Sequence, residues 1–156
     1  MPDAPLCDAL LEKIREQIER TSHLIGLVPE ARRDWTPSPG VWTTAELINH
    51  LLDSISGFCA VLAAAEPERL AHFTKLREQP ATIEAYRAHI EEGFALLTDA
   101  DLARRIPTMF VAQGETVLTL LLGNLEHLIN HKHHLFTYLK QMGVPVATPD
   151  LYQLRG

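Results

Sequence analysis

Apolar residues recur at three- and four-residue intervals in four stretches of the chain, and each stretch predicts an amphipathic helix. The first runs from about Ala4 to Gly26, with Leu6, Leu10, Ile14, Ile18 and the Leu24–Ile25 pair on one stripe. Gly26 and Pro29 mark its end. The second runs from Thr44 to about Ala65, with Leu47, Leu51, Ile55, Phe58 and Leu62 inward and His50 and Ser54 beside them. Thr43 and Glu46 form the T-x-x-E capping box that opens it, and Pro67 closes it. The third starts after Pro80 with Thr82 as its cap and continues to about Thr98. Ile83, Tyr86, Ile90, Phe94 and Leu97 supply its buried face. The fourth runs from about Thr116 to Met142, with Gly143 where a C-terminal cap belongs and Pro145 just beyond.

The segments between these helices lack the period. "VPEARRDWTPSPGVWTT" holds Pro29, Pro37, Pro39 and Gly40, and it exceeds the about 2–8 residues usual between helices of a compact bundle. Its Trp35 and Trp42 read as lids packed over the ends of the core. A short helical turn fits around Glu68 to Thr74. From Thr98 to Thr116 the pattern predicts a bent loop with a short extended pair, and the tail from Val146 to Gly156 reads as draped on the surface. Four amphipathic helices with no internal repeat predict an all-α four-helix bundle, a single domain over residues 1–156.

Composition narrows the function classes. A chain of 156 residues buries roughly 68–70% of its unfolded surface, so it needs neither disulfides nor a structural metal as staples. A metal found here is then functional. The net charge is −6, and the Arg104–Arg105 pair is too short to track phosphates, so nucleic acid is not an expected partner. Cys7 and Cys59 lie far apart, form no CxxC, and read as free thiols in a reducing compartment. No apolar run reaches about 18 residues, which argues against a membrane-spanning helix. The N-terminus turns charged too quickly for a signal peptide, so the expected location is the cytoplasm.

The candidate chemistry lies in the fourth helix. "NLEHLINHKHHLFTYLKQMG" carries His127, His131, His133 and His134, half of the chain's eight histidines. His127 and His131 are one turn apart on one face, the spacing by which a helix offers two imidazoles to one ion. His134 stays near that stripe, and His133 points elsewhere. The pair sits at the edge of an apolar face formed by Leu121, Leu125, Leu128 and Leu135. Unsatisfied polar groups there cost about 1–3 kcal/mol each, so the pair needs partners. A metal satisfies both rings, and so do tyrosine, aspartate or backbone carbonyls. His50, flanked by Leu47 and Leu51 on the second helix, is a boundary residue or a third ligand, since bundles build metal sites from facing helices.

"WTPSPGVWTTAELINHLLDS", followed far downstream by "LEHLINHKHHLFTYLKQMGV", resembles the DinB/YfiT-like superfamily. The shared pattern is a Trp before the second helix, a His within it, an H-x-x-x-H-R-G-Q pair near the end, and a "YLR-x-x-G" helix end. Carried over by position, the metal ligands fall on His50, His127 and His131, with Tyr138 to Lys140 standing in for "YLR". Lys132, His133 and His134 replace the usual Arg, Gly and Gln. His134 and Asp53 are candidates to support a ligating imidazole from behind or to replace a ligand.

The resemblance implies a four-helix bundle with long crossover connections, a divalent metal (zinc or nickel) in a cleft, and a homodimer. It further implies a metal-dependent enzyme acting on a small molecule, with S-transfer using a low-molecular-weight thiol ahead of hydrolysis. A non-catalytic bundle that binds metal or a small molecule is the alternative. Ligation requires neutral imidazoles, so metal affinity is expected to fall as pH drops through about 6.5.

Overall fold

The computed structural model describes residues 3–73, 81–109 and 111–153, and within them five helices follow in chain order. They are α1 (Pro5–Gly26), α2 (Thr44–Ala65), α3 (Ile83–Phe94), α4 (Val117–Gln141) and the short α5 (Thr148–Leu151). Two-residue strands β1 (Arg105–Ile106) and β2 (Glu115–Thr116) pair antiparallel, with Arg105 opposite Thr116. This is the short extended pair expected between Thr98 and Thr116.

The helix starts follow from local chemistry. At α2 the Thr43 hydroxyl accepts from the Glu46 amide and the Glu46 carboxylate accepts from the Thr43 amide, which completes the capping box. Thr82 and Thr116 cap α3 and α4 through hydroxyls that accept from Ala85 and Thr119 amides. The start of α1 has no such side chain of its own. Asp99, from the loop after α3, instead accepts from the Leu6 and Cys7 amides at 3.1 and 2.9 Å.

Packing arranges the four long helices in a ring. α2 lies between α3 and α4, and α1 completes the ring against the same two neighbours, so α1 and α2 are diagonal. The connections α1–α2 and α3–α4 therefore cross the bundle, as the resemblance implies. Ile14, Leu24, Leu47, Leu51, Ile55, Phe58, Leu62, Leu121, Leu128, Leu135 and Leu139 are completely buried in its centre. Each contributes about 1.5–3 kcal/mol relative to exposure.

Four expectations need adjustment. Leu6 is 46% exposed, and Cys7 takes the inward position at that end of α1 with Leu10 and Leu11. α3 ends at Phe94, and Leu97 is buried from the turn that follows. α2, with 22 residues, is long and apolar enough to cross a bilayer by length and composition, although no uninterrupted apolar run marks it. Its apolarity is accounted for in the bundle, where Leu47, Leu51, Ile55, Phe58 and Leu62 are all enclosed. The tail is docked rather than draped. Leu151 is buried, Asp150 meets His23 Nε2 at 2.7 Å, and the Lys132 ammonium donates to Gln17 Oε1 and the Leu151 carbonyl, both at 2.7 Å. The short helical turn expected around Glu68 to Thr74 is seen in part: residues 67–72 form turns, with the Leu70 amide donating to the Glu66 carbonyl, and Phe73 is helical, while Thr74 and residues 154–156 fall outside the described residues.

The crossing segment before α2 is ordered by its own backbone. Thr44 and Ala45 amides donate to Trp35 and Arg33 carbonyls at 2.9 Å, tying the segment to the first turn of α2. Gly40 supplies the positive φ (84°) that the bend requires. This brings Trp42 over one end of the bundle, where the histidines lie.

Candidate metal centre

The site depends on how closely α2 and α4 approach. Gly57 has no side chain where one would collide with Asn124, and Asn124 Nδ2 donates to the Ser54 carbonyl at 2.8 Å. Asn124 is three residues before His127 and Ser54 four after His50, so this contact sets the separation of the two histidine-bearing turns. His50 Nε2 then lies 2.9 Å from His127 Nε2 and 3.1 Å from His131 Nε2. The three ring centroids are 4.3 to 4.9 Å apart.

The donor set fits a divalent cation. An imidazole nitrogen has one in-plane site, a lone pair or an N–H. His50 Nε2 faces two other ring nitrogens, so hydrogen bonding serves at most one of the two contacts well. Three lone pairs aimed at a common point are satisfied together by one cation, and three His ligands leave a coordination position open. Burial pushes His127 below its ordinary value. His131 is pushed down to about 4 by burial first and then by the neighbouring His50, His127 and His134. Both shifts favour the neutral form, which is the ligating form. His131 Nδ1 is buried with no hydrogen-bond partner, a cost of about 1–3 kcal/mol carried where the rings are forced together.

Trp42 was expected as a lid on the core, but it covers the histidines. The residue is 39% exposed, with its ring centroid 4.6 Å from that of His50 and 5.6 Å from that of His131. The position of Trp42 just before the helix that carries His50 was the only sequence signal for this. Trp35 does cap the core, meeting Tyr138 edge-on at 5.3 Å.

The remaining candidates are placed as follows. His134 stacks by Trp42 and stands edge-on to Tyr138 at 4.8 Å, outside the three-nitrogen group. His133 faces solvent, as its helical phase predicts. Asp53 is exposed on the wall of the adjoining cleft and, among the described residues, its carboxylate makes no hydrogen bond to His50. Tyr86 is a core residue, as its place on the buried face of α3 predicts. The cleft, about 550 Å³ and open to solvent, runs from His50 and His127 between Val61 and Leu120, past Thr119 and Asn124. It is within the size range of small-molecule sites.

Comparisons with known proteins agree with this architecture. A crystal structure of a DinB-like protein of Bacillus subtilis, YjoA, is similar in fold with a TM-score of 0.68. The two are 22% identical, and the likeness covers 86% of this chain and 92% of that one. No curated protein matches the sequence. The family model described as the DinB superfamily matches residues 13–135, a span that takes in His50, His127 and His131 together. The chain belongs to the DinB superfamily.

Proposed function

We propose that this chain is a metal-dependent enzyme that holds one divalent cation, zinc or nickel, on His50, His127 and His131 and transfers a low-molecular-weight thiol to a small electrophile. The observation that carries the metal reading is the convergence of three Nε2 atoms, with His50 within 3.1 Å of both partners, at the mouth of a cleft. When bound, the cation would supply the Lewis acidity that keeps a thiol ionised or activates a water. The chain's own residues present neutral imidazoles, cover one side with Trp42, and line the cleft with apolar Val61 and Leu120 and polar Asp53 and Thr119. Thiol transfer is preferred to hydrolysis on the family resemblance, which also carries a homodimer into the proposal; a cytoplasmic location enters it from the early charges of the N-terminal segment and the two cysteines that form no CxxC.

Metal analysis of untagged protein tests the site first. His50→Ala or His127→Ala is expected to weaken Zn²⁺ or Ni²⁺ binding by about tenfold or more, since even losing a group that supports a ligand costs 10–100-fold. Unchanged metal content in both variants removes the site. Thiol-plus-electrophile and ester panels then separate the chemistry. A rate that requires thiol supports transfer, and a thiol-independent ester rate replaces it with hydrolysis. Bound metal with no turnover in either assay makes the cleft a binding site.

A further inference from the structure

A second cluster of donors lies on α3 and the turn after α2. His89 and Glu92 are three residues apart and share one face of α3. His72 reaches them from the preceding turn, with its Nε2 3.1 and 3.2 Å from the two Glu92 carboxylate oxygens. Beneath them Phe73, 2% exposed, packs edge-on to both rings with centroids 4.6 Å from His89 and 4.9 Å from His72. The buried ring thus fixes the backbone under an exposed His72 and a half-buried His89.

The state of His89 bears on what this cluster can do. Its Nδ1 lies 2.7 Å from the Ala85 carbonyl, which can only accept, so Nδ1 carries a proton and the neutral ring keeps its lone pair on Nε2. A backbone carbonyl holding the distal N–H is the usual support behind a ligating imidazole. One donor atom from each of His72, His89 and Glu92 lies within 4.8 Å of the others. Ligands around a tetrahedral zinc stand about 3.3 Å apart, a spacing the His72–Glu92 pair already has. Both members are about half exposed and free to turn toward an ion.

We propose that His72, His89 and Glu92 form a second site for a divalent transition-metal cation, of the two-imidazole, one-carboxylate type that suits Zn²⁺. Without an ion the His72–Glu92 contact is a surface hydrogen bond of the kind worth about 0–1 kcal/mol, and the His89 ring only packs on Phe73. With an ion all three side chains act together, and three protein ligands leave room for water or another ligand. The site shares no residue with the three-His cluster and does not depend on it.

Zn²⁺ alone, titrated by calorimetry into untagged protein, tests this. The native chain is expected to bind two equivalents. His72→Ala and Glu92→Gln, both at exposed positions, should each remove one equivalent or weaken it by about tenfold or more. In a chain lacking the first site (His50→Ala with His127→Ala), one equivalent should remain and be lost on adding His72→Ala. If the three-His reading fails but this one holds, the native chain binds one equivalent and His72→Ala alone abolishes it. Zn²⁺ binding that neither His72→Ala nor Glu92→Gln changes, with the helical circular dichroism intact, overturns the second site.

Discussion

The Tyr138 hydroxyl donates to the Trp42 main-chain carbonyl at 2.9 Å, while the Trp42 side chain lies against His50. One hydrogen bond from α4 therefore holds the crossing segment over the three-His cluster. Tyr138→Phe removes it but keeps the edge-on contact with Trp35. The expected cost is about 1 kcal/mol of stability, read from the urea midpoint at unchanged slope. Zn²⁺ affinity should weaken more in Trp42→Ala than in Tyr138→Phe, because only the former uncovers the rings. Equal affinity in both variants and the native chain would falsify the lid.

Gly57 and Asn124 make a second, sharper prediction. Glycine inside a helix costs about 0.5–1 kcal/mol relative to alanine, so Gly57→Ala would stabilise an isolated α2. In the bundle the new methyl meets the Asn124 side chain, and overpacking of this kind costs about 1–3 kcal/mol. The second effect is larger, so Gly57→Ala should lower the melting temperature and reduce metal content together. Adding Asn124→Ala should recover part of the stability, and the two changes should be clearly non-additive in a double-mutant cycle.

Much of this was legible because it is local. The capping box at Thr43 and Glu46, the inward stripe of α2, the Gly143 end of α4 and the opposite orientations of His131 and His133 follow from helical period and short-range hydrogen bonding. What was not legible depends on residues brought together from far apart. Nothing near Leu6 announces that its amide is capped by Asp99, and nothing near His72 announces His89. Trp42, in a long proline-rich connection, reads from sequence as a lid over the end of the core, and only the approach of α2 and α4 shows that it covers the histidines instead. Lys132 stands out in the sequence only as a departure from the family Arg, since a lysine in a helix is ordinarily solvated.

Lys132 is 2% exposed and ties α4 to α1 and the tail at once. Burial pushes its pKa down to about 8, so the ammonium is held against desolvation by its two acceptors. Lys132→Met keeps the volume and removes the donors, leaving Gln17 Oε1 and the Leu151 carbonyl unmet. The expected loss is about 1–3 kcal/mol. Because one of those acceptors belongs to α5, the tail should also become the first site of limited proteolysis. Cleavage at the tail no faster than in the native chain would show that Leu151 packing and the Asp150–His23 contact hold it without Lys132.

Acid should loosen α1 from its N-terminus. The Asp99 carboxylate is held below its ordinary value by the Cys7 amide first, with the Leu6 amide and the Cys7 thiol adding to it. Asp101 is likewise lowered, chiefly by the Thr98 amide. A carboxylate with a lower pKa in the folded chain binds fewer protons there than when unfolded. Its contribution is therefore complete above the unfolded value of about 3.9 and is lost as pH falls through the folded value. Hydrogen exchange at the Leu6 and Cys7 amides should accordingly show protection at neutral pH that disappears as pH falls below about 4, ahead of the amides in the middle of α1. Asp99→Ala should abolish that protection at neutral pH and make stability less dependent on pH in the acid range. Asp99→Asn, which keeps an acceptor but not the charge, should retain part of the protection and none of its acid sensitivity. Protection in Asp99→Ala equal to that of the native chain would mean that α1 does not need its distant cap.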